Sequence, residues 1–211
     1  LTVEHTQNVI DRGNHQVMTA NEITGGFNDV NTPGWIWGVD ITLDQGLDLI
    51  SWWGQLDVFT YSYAWVGDIK SINEDLWTEL DSRDDVRATQ FADVYNTGQK
   101  APINKFYAPA RTIGGQRNVT TDYVYLRMAE VYLLNAEANA KLGNDGAART
   151  SLLAVVGDRW PTANADINAL SGTALEEEIS FQTRTELWGE GKSYLELKRN
   201  ERNITLPPNH L

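Results

Sequence analysis

The sequence predicts a mainly α protein in which tetratricopeptide-like helical pairs pack with a long loop-rich region containing little β structure. Three observations carry that expectation. From about Thr121 the chain is rich in Ala and Leu, with apolar residues spaced three and four apart. Before about Asn118 it is rich in Trp, Gly, Asn and Asp and shows no sustained helical period. Between two periodic stretches, Lys141-Leu142-Gly143-Asn144-Asp145-Gly146-Ala147-Ala148 reads as the hinge of a helix pair. Residues 1–120 form the loop-rich aromatic part and residues 121–211 the helical part.

Residues 1–34 are mostly polar, and Thr24-Gly25-Gly26 and Asn31-Thr32-Pro33-Gly34 are turn signals. Residues 35–42 suit a strand, with Trp35 and Trp37 assigned to the core. Residues 43–65 add Trp52, Trp53, Phe59, Tyr61, Tyr63 and Trp65 between Gly46 and Gly54, and read as loops with one or two short helices. Residues 73–80 suit a short helix that Ser71 could cap. Residues 81–85 then open another through about Phe91, their acidic first turn favoured by the helix dipole. Pro102, Pro109 and Gly114-Gly115 mark a long connection.

Thr121 or Asp122 can cap a helix running to about Leu142, with Tyr125, Ala129, Tyr132, Ala136 and Ala140 on one face. Gly143 suits the position after its end. A second helix starts at Asp145 and carries Ala148, Leu152 and Val155 to about Arg159, and Pro161 follows in a loop. A third occupies residues 173–188, broken by Gly189 and Gly191, and a fourth spans residues 192–199 with basic residues at its end. One such pair cannot bury both its faces, so the helical part is expected to pack on further structure or on the loop-rich part.

Seventeen basic residues against 29 acidic ones leave a net charge of −12. That repels polyanions and disfavours nucleic acid as a partner. The absence of cysteine removes disulfides, thiolate nucleophiles and zinc-thiolate sites. No run of about 18 apolar residues could span a bilayer. The chain opens on Leu1 and closes on Leu211 after Pro207-Pro208; both ends read as cuts, with any anchor lying elsewhere.

Catalytic signals are weak. Glu186 and Glu190 lie one helical turn apart beside Arg184 and Lys192, and an ion-pair network explains them better than a glycosidase acid pair. His5, His15 and His210 lie far apart with no HExxH spacing, so no transition-metal site is expected. Asp81, Asp84 and Asp85 could meet a Ca²⁺ ion, but the glycine and terminal Glu of an EF-hand loop are missing; a solvated helix start explains them better. No Walker, Rossmann or GxSxG pattern occurs, and no cofactor is expected. The best binding candidates are Trp52, Trp53, Tyr61 and Tyr63, in a glycine-flanked stretch where exposure is expected. Flat rings can cover the C–H faces of a neutral sugar while Asp or Asn accept hydroxyl hydrogen bonds. Core packing is the competing explanation for any single tryptophan.

Two segments carry a family resemblance. Tyr125-Leu126-Arg127-Met128-Ala129-Glu130-Val131-Tyr132-Leu133-Leu134-Asn135-Ala136-Glu137-Ala138, with Gly143 and Ala147-Ala148 beyond it, resembles the "R-x-AE-x-YLL-x-AEA … G … A" segment of SusD/RagB proteins. Arg184-x-Glu186-Leu187-Trp188-Gly189-Glu190-Gly191-Lys192 through Arg199 resembles their "R-x-EL-x-x-EG-x-R-x-x-DL-x-R" segment, with Lys192 and Glu196 as minor departures. Residues 33–38, 84–87 and 111–117 also look familial. The resemblance covers about residue 33 onward and implies the C-terminal portion of an outer-membrane nutrient-binding lipoprotein. It implies a non-catalytic, surface-exposed protein that delivers oligosaccharide to a TonB-dependent outer-membrane transporter. Membrane attachment would come only through an N-terminal lipid anchor absent from this chain. The alternatives are a helical-repeat protein–protein interaction module without its own glycan site and, less well supported, a glycoside hydrolase.

Overall fold

Eight α-helices and a two-stranded sheet make up the fold, seen in a computed structural model that describes residues 1–114 and 117–203. Gly115, Gln116, Pro207, Pro208, His210 and Leu211, which figure in the expectations above, lie outside the described residues. The hinge at Gly143 is where the helical part is most clearly written. Helix α4 (Met128–Lys141) ends there, α5 (Asp145–Val156) starts two residues on, and Gly143 takes a φ of 75° that a side chain would resist. Ala129, Ala136, Ala140 and Ala148 are buried along the seam, so the backbones approach closely, and Leu133, Leu152 and Val155 fill the space beside them. Each such leucine or valine withdrawn from water contributes about 1.5–3 kcal/mol.

The free face of α4 is covered by two elements. Helix α7 (Gly172–Glu186) adds Leu175 and Ile179 to the same core. Helix α1 (Thr2–Arg12) packs on α4 through polar groups: Asn135 Nδ2 donates to Thr6 Oγ1 (2.9 Å), and Ser151 Oγ donates to Asn135 Oδ1 (2.7 Å). Residues 1–34 were read only as mostly polar, with no helix assigned there. The helix has no side-chain cap, and beside the buried Thr6 it lays the half-buried Val3 and Ile10 on the same face. Helix α6 (Ala163–Asn168), expected as loop, follows Pro161, and α8 (Ser193–Arg199) closes the order.

The sheet corrects two expectations. Strand β1 (Trp35–Val39) pairs antiparallel with β2 (Tyr123–Arg127), so residues 123–127 are strand rather than the first turn of α4. Tyr-Val-Tyr-Leu favours a pleated surface, and the long helical period continued into it by coincidence. Asp122 does not cap a helix. Its carboxylate accepts from Val30 N and Ile41 N, both at 2.7 Å, stapling two loops to the strand. Trp35 is buried as expected, but Trp37 is 62% exposed. Residues two apart on a regular strand share a face, and the register slips between these two: Trp35 pairs with Arg127 and Trp37 with Leu126. That bulge turns Trp37 outward, where it stacks on Tyr125 with ring centroids 5.0 Å apart.

Helix α2 (Trp52–Leu56) is capped by Ser51, and α3 (Glu74–Ser82) by Asn73 rather than Ser71; Asn73 Oδ1 accepts from Asp75 N and Leu76 N. The helix expected after Asp81 is a 3₁₀ turn at Val86–Gln90, entered through Asp84 at a φ of 55° and capped by Asp85. No helix among the described residues is long and apolar enough to cross a membrane.

Candidate functional site

The four aromatic residues expected to be exposed divide into two pairs. Trp52 and Trp53 fall in the first turn of α2, which lays them into the core. Trp53 is 1% exposed, and Trp52 is half-buried, edge-on to Phe106 (4.6 Å), Tyr123 (5.6 Å) and Trp53 (4.9 Å). The expectation of an exposed Trp53 is therefore corrected. Gly54, taken as a loop marker, is instead the residue that lets α2 sit against Leu49, whose carbonyl oxygen lies 1.9 Å from where a Cβ would stand. Tyr61 and Tyr63 belong to the next loop; Tyr63 is 38% exposed and Tyr61 half-buried.

That loop is held from beneath by polar groups. Asp57, fully buried, accepts from Phe59 N (2.9 Å), Ala108 N (2.8 Å) and the Thr60 hydroxyl. Burial pushes its carboxyl up from the ordinary aspartate range, partly offset by these donors. Tyr95 Oη donates to the carbonyls of Ala64 (3.1 Å) and Trp65 (2.8 Å), and Gly114 N donates to Phe59 O (2.7 Å).

On this base Tyr61 and Trp65 lie with ring centroids 5.4 Å apart, and Gly114 leaves room for the Trp65 ring beside the chain. Arg117 stands over Tyr61 (4.8 Å), and Arg111 over Tyr107 (4.0 Å) and Phe59 (5.3 Å). The loop at 59–65 and the one from Tyr107 onward thus form a single surface of rings and guanidiniums. Trp65, Tyr107, Arg111 and Arg117 were not among the expected binding residues. The contacts that join the two segments, Tyr107 and Arg111 with Phe59 and Arg117 with Tyr61, span about 50 residues, so local spacing carried no signal of them.

Elsewhere the fold holds a buried charged hub. Arg127 Nη1 donates to Glu186 Oε1 (2.8 Å), and its Nε donates to Glu190 Oε2 (2.8 Å). Arg87 bonds Asp85 (2.6 Å) and Glu186 (3.1 Å), and Lys105 meets Glu190 at 2.9 Å and donates to Glu186 O (2.8 Å). Arg159 stands 3.6 Å from Glu186, too far for a hydrogen bond but close enough for attraction, and pairs with Asp158 at 2.6 Å. Four cations thus meet four carboxylates. The sequence led us to expect Arg184 and Lys192 as partners; Lys192 instead pairs with Glu130 (2.9 Å), and no described carboxylate pairs with Arg184. Glu186 and Glu190 are sealed from solvent and held by guanidiniums, so neither is placed to reach a substrate. Burial alone raises the Glu186 carboxyl, and Arg159, Arg127 and Arg87 reverse this, holding it well below the usual carboxylate range.

Lys105 is pushed the other way. Burial lowers its ammonium pKa from 10.5 to about 8; Glu190 pulls it back up, while Arg127 opposes. An unfolded lysine keeps its proton to about pH 10.4. Above pH 8 the unfolded chain therefore binds one more proton than the folded one, and stability rises with pH until unfolded tyrosines begin to ionise. Urea unfolding followed from about pH 8 to 9.5 should show this rise, and Lys105→Met should flatten it. An unchanged slope in that variant would assign the effect elsewhere.

No group of three His, Asp or Glu residues arranged to hold a metal ion occurs among the described residues. Asp81 and Asp84 are exposed, and Asp85 is committed to Arg87.

No curated protein matches the chain. Solved structures match it over nearly its whole length. A SusD superfamily protein from Bacteroides vulgatus superposes with a TM-score of 0.74 at 19% identity, covering 97% of this chain and 45% of that one. One from Bacteroides thetaiotaomicron gives 0.72 at 20%, covering 99% and 48%. A SusD-like carbohydrate binding protein from Bacteroides vulgatus gives 0.66 at 23%, covering 96% and 42%. At these identities the likeness is one of fold, and this chain spans less than half the length of each. The SusD family profile matches residues 41–206, most of the sequence, and the chain therefore belongs to the SusD family.

Proposed function

We propose that this chain is the glycan-capturing part of a non-catalytic cell-surface lipoprotein, one that passes oligosaccharide to a TonB-dependent outer-membrane transporter. The observation that carries this reading is the pinned aromatic loop bearing Tyr61, Tyr63 and Trp65, in a chain of this family. One solved relative is described as carbohydrate binding, which supports the same assignment. A ring covering roughly 50 Å² of a sugar's apolar face contributes about 1.3 kcal/mol. Two or three rings together contribute about 2.6–3.9 kcal/mol, which by itself corresponds to about millimolar capture, weak enough to release the ligand onward. Tyr61 and Tyr63 stay in the proposed site and Trp65 joins them, while Trp52 and Trp53 pack around Phe106 and Tyr123.

Affinity electrophoresis or calorimetry against a glycan panel tests this. Tyr61→Ala with Trp65→Ala should weaken binding of a retained glycan about tenfold or more while leaving thermal stability nearly unchanged. Full retention by that double variant would remove the loop from the site. A second reading, docking of a protein partner on the helices, is favoured by a cleft of about 100 Å³ between α4 and α8. Leu133, Leu134, Leu187 and Leu195 line it, and it predicts that Leu195→Asp disturbs partner capture but not glycan binding.

A further inference from the structure

We infer that the captured glycan carries carboxylated sugar units of the uronic-acid class, which Arg111 and Arg117 recognise; this rests on the glycan-binding reading above. Four arginines in the described residues stack on aromatic rings. Arg83 is committed to Glu79 and Glu178, and Arg127 to Glu186 and Glu190. Arg111 and Arg117 have no carboxylate within 4.0 Å among the described residues, although the chain holds 29 acidic side chains. Both are exposed, and both lie on rings of one surface: Arg111 over Tyr107 and Phe59, Arg117 over Tyr61.

A guanidinium held over a ring by its charge keeps N–H donors for other partners. Arg111 uses one of them, donating from Nη2 to Asn104 Oδ1 (2.7 Å). The rest suit the two oxygens of a carboxylate, which the planar fork matches bidentately. Arg111 is also fixed in place: it adopts a left-handed backbone (φ 48°), and its N–H donates to the carbonyl of Ala108 (2.9 Å), the residue whose own N–H donates to Asp57. The neighbouring acids do not cancel this charge. Asp57 is buried beneath and its oxygens are taken up by Phe59 N, Ala108 N and the Thr60 hydroxyl, Asp68 is paired with Lys70, and Asp93 is engaged by the backbone of its own turn.

The net charge of −12 disfavours a dense polyanion. At physiological salt, however, charges more than about 8 Å away are largely screened. An oligosaccharide with isolated carboxylates therefore feels the two guanidiniums more than the distant acidic surface. Tyr61 and Trp65 would cover its apolar sugar faces while the arginines hold the acid group.

The test uses the protein with its entire natural chain, at physiological salt. Oligosaccharides carrying a single galacturonate, glucuronate, mannuronate or guluronate among neutral sugars are compared with their carboxyl-reduced counterparts and with a neutral panel. At least one uronate-bearing oligosaccharide should bind about tenfold tighter than its reduced form. Arg111→Gln with Arg117→Gln should erase that preference without changing the melting temperature, and added salt should weaken the wild type more than the variant. Binding of neutral glycans alone, or a uronate preference untouched in the double variant, would overturn the inference and leave glycan capture standing. Refusal of every glycan would remove capture itself, and this inference with it.

Discussion

Replacing Glu186 by alanine is expected to lower the unfolding free energy by about 3–5 kcal/mol, a large share of the stability of a domain this size. The carboxylate is the common partner of Arg87 and Arg127, with Arg159 at 3.6 Å, and none of the three guanidiniums reaches water. Removing it leaves buried positive charge facing positive charge, and the cost lies in that stranded charge rather than in the bonds lost. The hub joins parts far apart in the chain: Asp85 and Arg87 from the 3₁₀ turn, Lys105 from the loop before Tyr107, Arg127 at the entry to α4, and Glu186 and Glu190 around the end of α7. Loss of Glu186 should therefore disturb the helical core and the aromatic surface together. Glu186→Gln keeps the shape and one acceptor and should cost less. Urea unfolding of both variants checks this; a change under about 1 kcal/mol in Glu186→Ala would show that the hub contributes little to stability. Acid should act in the same direction. Because the folded carboxyl is held well below its unfolded value, its contribution is complete above about pH 4.3 and is lost as pH falls below that.

Trp53→Ala should cost a similar amount, about 3–5 kcal/mol, lowering the melting temperature by on the order of 10 °C. The ring is 1% exposed and sits among Phe106, Tyr123 and Trp52, so its removal leaves a cavity that the surrounding rings cannot fill. Trp53→Phe should lose far less. Tyr61→Ala provides the contrast, because a half-exposed ring at a loop carries little of the fold. Melting curves for the three variants decide between core and platform. A stable Trp53→Ala protein with impaired glycan binding would return Trp53 to the binding surface.

Sequence and structure agree where one residue type answers one local demand. Gly143 turns the chain between α4 and α5, and the alanine seam beside it brings the two backbones together; both demands are local and legible. Helix α1 escaped notice because its inner face is a narrow stripe, Val3 and Ile10 around a polar Thr6, set in an otherwise polar stretch. Trp37 was misplaced because strand alternation holds only while register holds, and the bulge that breaks it depends on β2, some 85 residues later. Asp122 looked like a helix cap because an aspartate before a periodic run usually is one; its actual partners, Val30 and Ile41, are distant in the chain. At the candidate site, aromatic composition singled out residues 52–63, but it could not tell exposed rings from buried ones: Trp53 is buried, whereas Tyr63 is exposed. The first turn of α2 decides that Trp52 and Trp53 face the core, and residues 107–114 together with Arg117 complete the surface around Tyr61 and Trp65. The hub was foreseen as an ion-pair network around Glu186 and Glu190. Its cations come from four separate places in the chain, and proximity in sequence suggested the wrong ones.

Hydrogen–deuterium exchange with and without a retained glycan tests the capture surface most directly. Ligand should slow exchange in residues 59–66 and 107–114 and leave the α4–α5 pair unchanged. Slowing confined to the helices from Met128 to Arg199, with a glycan the protein demonstrably holds, would contradict the assignment.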